Sequence, residues 1–168
     1  MGGLTLHGSE FEVQQLLSDL EESMQFHTKK NSNKFEVVCG EGLGQIKTDR
    51  QRLRQVLSNL ISNSSKFTKD GEIKVEAESF EKDGAPWARF RVVDTGRGMS
   101  EAEQKRLFTR FNTNRTANES GSGLGLVICE GLCKLMGGRL SLEHSAPDEG
   151  STFVAEIPQT LREQAEES

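Results

Sequence analysis

The chain has 168 residues, 33% of them hydrophobic, which predicts one globular domain with a single core. Its 26 acidic and 21 basic residues give a net charge of -5, so the chain as a whole does not attract nucleic acid. It contains no run of about 18 apolar residues, the length that a membrane span needs, and no signal segment. We therefore expect a soluble protein in which any anionic ligand is held by a local site.

The three cysteines, Cys39, Cys129 and Cys133, form no CxxC pair, and an odd number cannot pair fully within one chain. This pattern favours a reduced, cytoplasmic setting. Cys129 and Cys133 lie four residues apart with no histidine close by, so we assign them to core packing rather than to a metal site.

The first half of the chain shows helical periodicity in two places. Apolar residues predict an amphipathic helix that starts with Ser9 as its N-cap. A strand over Phe35–Cys39 and a glycine-rich loop over residues 40–44 follow. Asp49 then caps a second helix, predicted over residues 50–67.

The second half alternates between hairpins and helices. The predicted elements are a hairpin of strands 73–80 and 87–93 around Asp83-Gly84, a short helix from Ser100 to Leu107, a helix over 123–136 ended by Gly137-Gly138, and a hairpin of strands 139–144 and 151–157. We expect residues 1–8, which open with the Met-Gly-Gly of an expression start, to add little to a domain over residues 9–158. A flexible tail is predicted over residues 159–168.

The second helix carries three polar residues on one stripe beside its apolar face. Asn59, Asn63 and Lys66 stand at i, i+4 and i+7, so one face can pack on a sheet while the next presents two amides and an ammonium group. Magnesium bound to nucleotide phosphates takes one or two protein oxygens, and Asn63 is our choice for the direct ligand. Lys66 brings a positive charge to a phosphate.

Two glycine-containing segments follow this helix. Asp94 ends a predicted strand ahead of Gly96 and Gly98, where a carboxylate can accept a hydrogen bond from an exocyclic amine and glycines let the backbone approach a ligand. The run from Gly121 through Gly123 and Gly125 opens a helix, whose N-terminal N–H groups suit phosphate. It lacks the Gly-Lys-Ser/Thr of a P-loop.

A polar segment separates these two motifs. Residues 112–122 contain no apolar side chain larger than Ala117, which predicts a mobile lid. We interpret Phe108 and Phe111, just before it, as a clamp at the hinge of this lid. Arg110 and Arg115 are further candidates for a phosphate contact.

In this order, the motifs resemble the catalytic ATP-binding domain of sensor histidine kinases, in the superfamily shared with gyrase, the heat-shock chaperone ATPases and the mismatch-repair ATPases. The resemblance covers about residues 10–158. The segments similar to the family's N, G1, F and G2 boxes are residues 52–68, 93–99, 107–111 and 121–126. Ser64 stands where the family often has alanine.

This resemblance implies an α/β two-layer sandwich of the Bergerat type, with a mixed, mainly antiparallel five-stranded sheet covered on one face by three helices and an ATP lid. It implies ATP and Mg²⁺ as ligands. By the same resemblance, Asn63 would hold the metal, Asn59 and Lys66 would lie at the phosphates as catalytic residues, and Asp94 would bind the adenine amine. The lid and phosphate contacts would come from Gly96, Gly98, Gly121, Gly123, Leu124, Gly125 and Leu126.

One position separates the kinases from the hydrolases of this superfamily, because the ATPases have a general-base glutamate four residues before the magnesium asparagine. Here that residue is Asn59, which cannot take a proton from water. The resemblance therefore implies γ-phosphoryl transfer to an external histidine. Two alternatives stay open: a non-catalytic nucleotide-binding module read by a partner, and an ATPase clamp, which Asn59 disfavours.

The family's phosphoacceptor histidine is followed by Glu or Asp on a dimerising helical hairpin, whereas His7 here is followed by Gly8 and Ser9. We therefore expect a catalytic domain that acts on a separate phosphoacceptor domain of the same or a partner kinase. The implied partners are ATP or ADP, that domain and a receiver domain, and no nucleic acid. The expected location is the cytoplasm, either free or as the cytosolic part of a membrane-bound sensor.

Overall fold

The computed structural model describes residues 6–98, 100–102 and 122–161, with the backbone alone for residues 122–125. The helices are α1 Val13–Lys29, α2 Arg50–Lys66 and α3 Ser122–Leu135. The strands are β1 Ser9–Glu12, β2 Lys34–Cys39, β3 Gln45–Thr48, β4 Glu72–Lys82, β5 Ala85–Asp94, β6 Arg139–Ser145 and β7 Ser151–Pro158.

Five of these strands form one sheet in the order β2-β4-β5-β7-β6. Only β2 and β4 run parallel, and the other neighbours are antiparallel. All three helices of the described residues pack on this sheet. The predicted two-layer sandwich, with a mixed and mainly antiparallel sheet under three helices, is confirmed.

The two faces of β5 show why the helices lie on one side only. Ala88, Phe90 and Val92 are fully buried towards the helices. Arg89 and Arg91 alternate with them on the other face. There they form ion pairs with glutamates of β4, β6 and β7, such as Arg91 Nε to Glu143 Oε1 at 2.8 Å. A face occupied by charges stays in water, as the alternating sequence predicts.

The predicted start of the first helix at Ser9 is wrong. Ser9–Glu12 is strand β1, which pairs antiparallel with β3, and the helix begins at Val13 after Glu12 as its N-cap. Phe11, which fits the helical pattern, is instead buried opposite Ile46 on β3. Four residues are too few to separate a helical period from a strand period, and the pairing with β3 decides between them.

Strand β3 also holds the end of the described chain. The Lys47 backbone N–H donates to the Gln159 carbonyl at 2.7 Å, and the Leu161 N–H donates to the Lys47 carbonyl at 2.6 Å. Residues 159–161, which we predict to belong to a tail, are thus hydrogen-bonded to this small sheet, while 162–168 lie outside the described residues.

The remaining predicted helices, strands and turns are confirmed wherever the structure describes them. The 40–44 loop, the second helix with Asp49 as its cap, both hairpins and the later helix are all present. At the first hairpin turn Asp83 and Gly84 have φ of 54° and 79°, the left-handed values that such a turn requires.

The segment between the G1-like and G2-like motifs is described only in part. Residues 101 and 102 are helical. The rest of the predicted short helix and most of the predicted lid lie outside the described residues, and so do Phe108, Arg110, Phe111 and Arg115. Ser122, the last residue of the predicted lid, is the first residue of α3. Among the described helices, none is both long and apolar enough to cross a bilayer.

The connection between α1 and β2 fixes the carboxyl end of α2. The Asn31 side-chain amide donates to the Ser65 carbonyl, and that of Asn33 donates to the Thr68 carbonyl, each at 2.8 Å. Asn33 Oδ1 also accepts from the Gly71 N–H at 3.0 Å. The last carbonyls of a helix lack partners within it, so these side chains replace water at that end.

We predict that Asn33→Ala lowers the free energy of unfolding by about 1–3 kcal/mol, because it leaves the buried Thr68 carbonyl and the partly buried Gly71 N–H unpaired. Urea unfolding of both proteins measures the change. Asn31→Ala is the matched control, with one hydrogen bond at a half-buried site and an expected loss of about 0.5–1.5 kcal/mol. A loss at Asn33 no larger than that at Asn31 contradicts this account of the cap.

Candidate functional site

Helix α2 carries the three polar residues of the predicted site. The adjacent face of the helix is anchored by apolar residues that are fully buried: Leu53, Val56, Leu57, Leu60 and Ile61. Asn59 and Asn63 are half-buried on the neighbouring stripe, and Lys66, the last residue of the helix, is exposed. The predicted division of α2 into an apolar anchoring face and a neighbouring polar stripe is present.

Asn63 has a buried side-chain oxygen without a protein partner. Its Oδ1 is shielded from solvent and accepts no hydrogen bond from the described residues. Leaving such an atom unpaired costs about 1–3 kcal/mol, so a fold keeps it only where something else stabilises it. A neutral carbonyl oxygen is a ligand type that Mg²⁺ accepts, and this atom therefore fits the predicted metal role.

Asp94 is the last residue of β5 and is only 6% exposed. Its Oδ1 accepts two backbone hydrogen bonds, from the Gly96 N–H at 2.9 Å and from the Ser151 N–H at 3.1 Å. These two bonds fix the carboxylate at the end of the central strand. A carboxylate accepts up to about four hydrogen bonds, so capacity remains for a ligand amine.

Two hydroxyl groups near Asp94 were not predicted from the sequence. Ser64 and Thr68 are each 1% exposed, and neither hydroxyl oxygen makes a hydrogen bond of ordinary geometry within the described part of the chain. Both lie near enough to the Asp94 carboxylate to favour its charged form. Their signal in the sequence is the spacing of four residues across the end of α2, with Ser64 directly after Asn63 and Thr68 just beyond the helix.

The surroundings of Asp94 act on its pKa in both directions. Burial raises the pKa of the carboxyl above its usual value, and this is the largest effect. The hydrogen bond from Gly96, the Ser64 hydroxyl, the Ser151 N–H and the Thr68 hydroxyl each lower it. The site thus holds a carboxylate whose charge is stabilised by local donors in a largely desolvated position.

The two glycines after Asp94 serve packing inside the protein. A Cβ at Gly96 would collide with the Phe67 carbonyl, and one at Gly98, where φ is +69°, would collide with the Ala146 carbonyl. Between them, the Arg97 N–H donates to the Phe67 carbonyl at 3.3 Å. The room around both glycines is therefore filled by the end of α2 and the β6–β7 turn, which hold the loop in place.

The second glycine run is described in part. Gly121 lies outside the described residues, and Gly123, Leu124 and Gly125 are known by their backbone, in the first turn of α3. Leu126 is 1% exposed and belongs to the hydrophobic core, so it anchors this helix under its N-terminal turn. The N–H groups of such a turn lack partners within the helix and suit an anion.

Two of the three cysteines lie in the core, as predicted from the sequence. Cys129 and Cys133 are fully buried, and burial raises the pKa of their thiols to about 11 and about 12. Cys39 is half-buried. Within the described ranges, no group of three or more His, Cys, Asp or Glu side chains is arranged to hold a metal ion.

Known proteins match this fold and this set of motifs. The family model for the histidine kinase-, DNA gyrase B- and HSP90-like ATPases matches residues 48–161. The chain belongs to this ATPase family. The match extends from the cap of α2 to the last described residue, so it contains every candidate site residue.

Relatives of this ATPase domain are sensor kinases. The sensor protein EvgS of Escherichia coli K12 is 42% identical over 121 residues, which are 71% of this chain and 10% of EvgS. The chain thus spans about a tenth of the length of that relative.

Solved structures of histidine kinases share the fold of this chain. ShkA, crystallised at full length with AMPPNP, is 28% identical with a TM-score of 0.78 over 96% of this chain and 33% of that one. The catalytic domain of ThkA is 28% identical with a TM-score of 0.76 over 92% and 97% of the two chains. ThkA is also known in complex with the response regulator TrrA. These matches confirm that the chain is an ATP-binding catalytic domain of the histidine kinase type.

We predict that Asp94→Asn changes how the stability of this ATPase domain depends on pH. Because burial raises the folded-state pKa of Asp94, its contribution to stability is full below the ordinary carboxyl pKa and is lost as pH rises through the raised value. The unfolding free energy of the wild type should therefore fall relative to that of the variant as the pH rises above about 3.8, the ordinary pKa of the carboxyl group.

Thermal or urea unfolding at several pH values gives this difference. Asp70→Asn is the control for loss of one negative charge, at an exposed residue whose backbone φ of 55° asparagine also tolerates. A wild type that gains stability over Asp94→Asn as pH rises would show that the local donors outweigh burial.

Proposed function

We propose that this domain binds Mg-ATP between the carboxyl half of α2 and the loop after β5, and transfers the γ-phosphoryl group to a histidine on a separate dimerisation domain. The observation that carries the proposal is the Asp94 carboxylate, fixed by two backbone N–H groups beside the buried Ser64 and Thr68 hydroxyls, which make no hydrogen bond of ordinary geometry among the described residues. Such a cluster of unused hydrogen-bonding capacity in a buried position is suited to a polar, flat ligand such as a purine.

At the adenine end, Asp94 accepts a hydrogen bond from the exocyclic amine. The backbone bonds from Gly96 and Ser151 hold the carboxylate still, so little ordering is needed when the base arrives. In a purine with a carbonyl in place of the amine, the carbonyl oxygen would face the Asp94 carboxylate oxygen, and neither atom could donate a hydrogen bond to the other. The site therefore selects adenine over guanine nucleotides.

At the phosphate end, the solvent-shielded Oδ1 of the half-buried Asn63 would be the direct protein ligand for Mg²⁺. Asn63 would hold the ion there, and the chemistry that the ion would supply is neutralisation of the negative charge of the phosphates. Lys66, exposed one turn further along α2, adds a positive charge at the phosphates. The N-terminal turn of α3, with Gly123 and Gly125, offers backbone N–H groups to the same anion.

The reaction type follows from what α2 lacks. From Arg50 to Lys66 this helix contains no aspartate or glutamate, and Asn59 occupies the position of the general base in the related hydrolases. An amide does not take a proton from water at neutral pH, so hydrolysis lacks its base. Positioning and charge neutralisation, which the site does supply, are what phosphoryl transfer to an incoming histidine needs.

The partners of the proposed reaction lie on other domains. The acceptor is a histidine of a phosphoacceptor domain, in the same or a partner kinase. A receiver domain is the next carrier of the phosphoryl group, and the complex of the similar kinase ThkA with a response regulator supports this order.

Asn63→Ala is expected to lower ATP affinity in the presence of Mg²⁺ by about tenfold or more, the loss of one interaction with a charged group. Without the metal, the ATP affinity of the variant should stay within about twofold of the wild-type value, because the removed oxygen acts through the ion. Calorimetric titration with and without Mg²⁺ measures both. Gln55→Ala, at an exposed amide on the same helix, is the matched control and should change neither value. Equal losses with and without the metal would place Asn63 outside the metal's shell.

Phosphoryl transfer is tested by mixing the domain with a separately purified dimerisation domain and γ-labelled ATP. We expect acid-labile, alkali-stable label on the acceptor, and none when its histidine is replaced. ATP binding of normal strength with no transfer to the histidine-bearing hairpin would instead support a nucleotide-binding module that a partner reads.

A further inference from the structure

The β6–β7 turn packs against the backbone of Asp94. Gly150, at the end of this turn, is buried and has φ of +78°. A Cβ at this position would collide with the Asp94 carbonyl oxygen and would lie 3.0 Å from the Thr95 Cα. These neighbours are backbone atoms, which cannot rotate away as the end of a flexible side chain can. The turn therefore lies this close to the end of β5 because residue 150 is glycine.

The residue after this glycine reaches the carboxylate itself. Ser151 lies opposite Asp94 in the pairing of β5 and β7. Its backbone N–H donates to Asp94 Oδ1 at 3.1 Å, and this hydrogen bond is buried. Any displacement of the turn away from β5 would move this donor, because the donor follows directly on the point of contact.

The rest of the turn has a defined shape. The Asp148 N–H donates to the Arg97 carbonyl at 2.6 Å, which joins the turn to the loop after β5. Within the turn, the Glu149 N–H donates to the Ala146 carbonyl at 3.0 Å. Asp148 has φ of 64°, a region that aspartate tolerates better than most residues. The turn is thus held on both sides of its contact with β5.

We propose that Gly150 is a positioning residue for adenine recognition, because its missing side chain lets the β6–β7 turn hold the Asp94 carboxylate through the Ser151 N–H. The donors on Asp94 Oδ1 come from two separate loops, Gly96 from one and Ser151 from the other, and together they restrict rotation of the carboxylate. This role rests on the proposed function, whereas the contact between the turn and Asp94 does not.

Gly84 offers a matched control. It also has a left-handed φ, +79°, and it lies in the β4–β5 turn, at the other end of β5 from Asp94. Apart from its chain neighbours, no atom of the described residues lies within 4 Å of a Cβ built there. Asparagine tolerates this backbone region, so Gly84→Asn and Gly150→Asn cause similar backbone strain. They differ in whether the new side chain meets Asp94.

The test compares these two variants of the full chain with the wild type. The first readout is solvent exchange of the Ser151 amide proton in the nucleotide-free protein, followed by NMR. The second readout is the affinity for ATP and for GTP, each with and without Mg²⁺.

In Gly150→Asn we expect the Ser151 amide to exchange about tenfold faster or more, because its acceptor moves away. The affinity for ATP should fall about tenfold, the loss of one hydrogen bond to a charged group, while the affinity for GTP should not fall. The strengthening of ATP binding by Mg²⁺ should stay within about twofold, because the proposed metal ligand Asn63 belongs to α2. Gly84→Asn should alter neither readout.

A Ser151 amide that stays protected in Gly150→Asn overturns the proposal, and so does an unchanged ratio of ATP to GTP affinity. An equal loss for both nucleotides would assign Gly150 to the stability of the domain rather than to adenine. If Gly150→Asn does not fold, Asp94→Ala decides: faster Ser151 exchange without the carboxylate supports the proposal, and unchanged exchange overturns it. If the wild type binds no nucleotide, the proposed function fails, and amide exchange still decides whether the turn holds Asp94.

Discussion

The site depends on one constraint, the placement of α2 over the end of β5. Five fully buried apolar side chains fix how the helix is rotated, and each contributes about 1.5–3 kcal/mol by burial. Asn31 and Asn33 fix its carboxyl end through the Ser65 and Thr68 carbonyls. A rotation of one residue would move Asn63 off the ligand face and take Ser64 and Thr68 away from Asp94, so the core and the caps set the chemistry together.

The cost of this arrangement is a set of buried polar atoms that make no hydrogen bond of ordinary geometry among the described residues. The Asn63 oxygen and the Ser64 and Thr68 hydroxyls each cost about 1–3 kcal/mol when unpaired. The apolar face of α2 offsets a loss of that size, which is why the fold tolerates it. Polar groups that are already in position need little reorganisation when a ligand binds. The loop from Asp94 to Gly98 is also rigid, because it packs against Phe67 and Ala146.

Much of this was predictable because it depends on local patterns. The period of α2, the alternation of β4 and β5, and Asp94 at a strand end follow from spacing along the chain. The strand at Ser9–Glu12 did not, since its partner β3 is over 30 residues away and four residues fit either period. Nor did the positions of the Ser64 and Thr68 hydroxyls beside Asp94, because that contact joins separate elements. Gly96 and Gly98 were predicted as glycines needed for close approach, and the groups that approach them belong to the protein.

The most direct test of the account is calorimetric titration of the wild-type domain with ATP and GTP, each with and without Mg²⁺. The unpaired Asn63 oxygen predicts that the affinity for ATP rises when Mg²⁺ is present. The fixed Asp94 carboxylate predicts that the affinity for ATP exceeds the affinity for GTP by about tenfold or more. Equal affinity for the two nucleotides, or ATP binding that is indifferent to Mg²⁺, would contradict the assignment of these two residues to the ends of one nucleotide site.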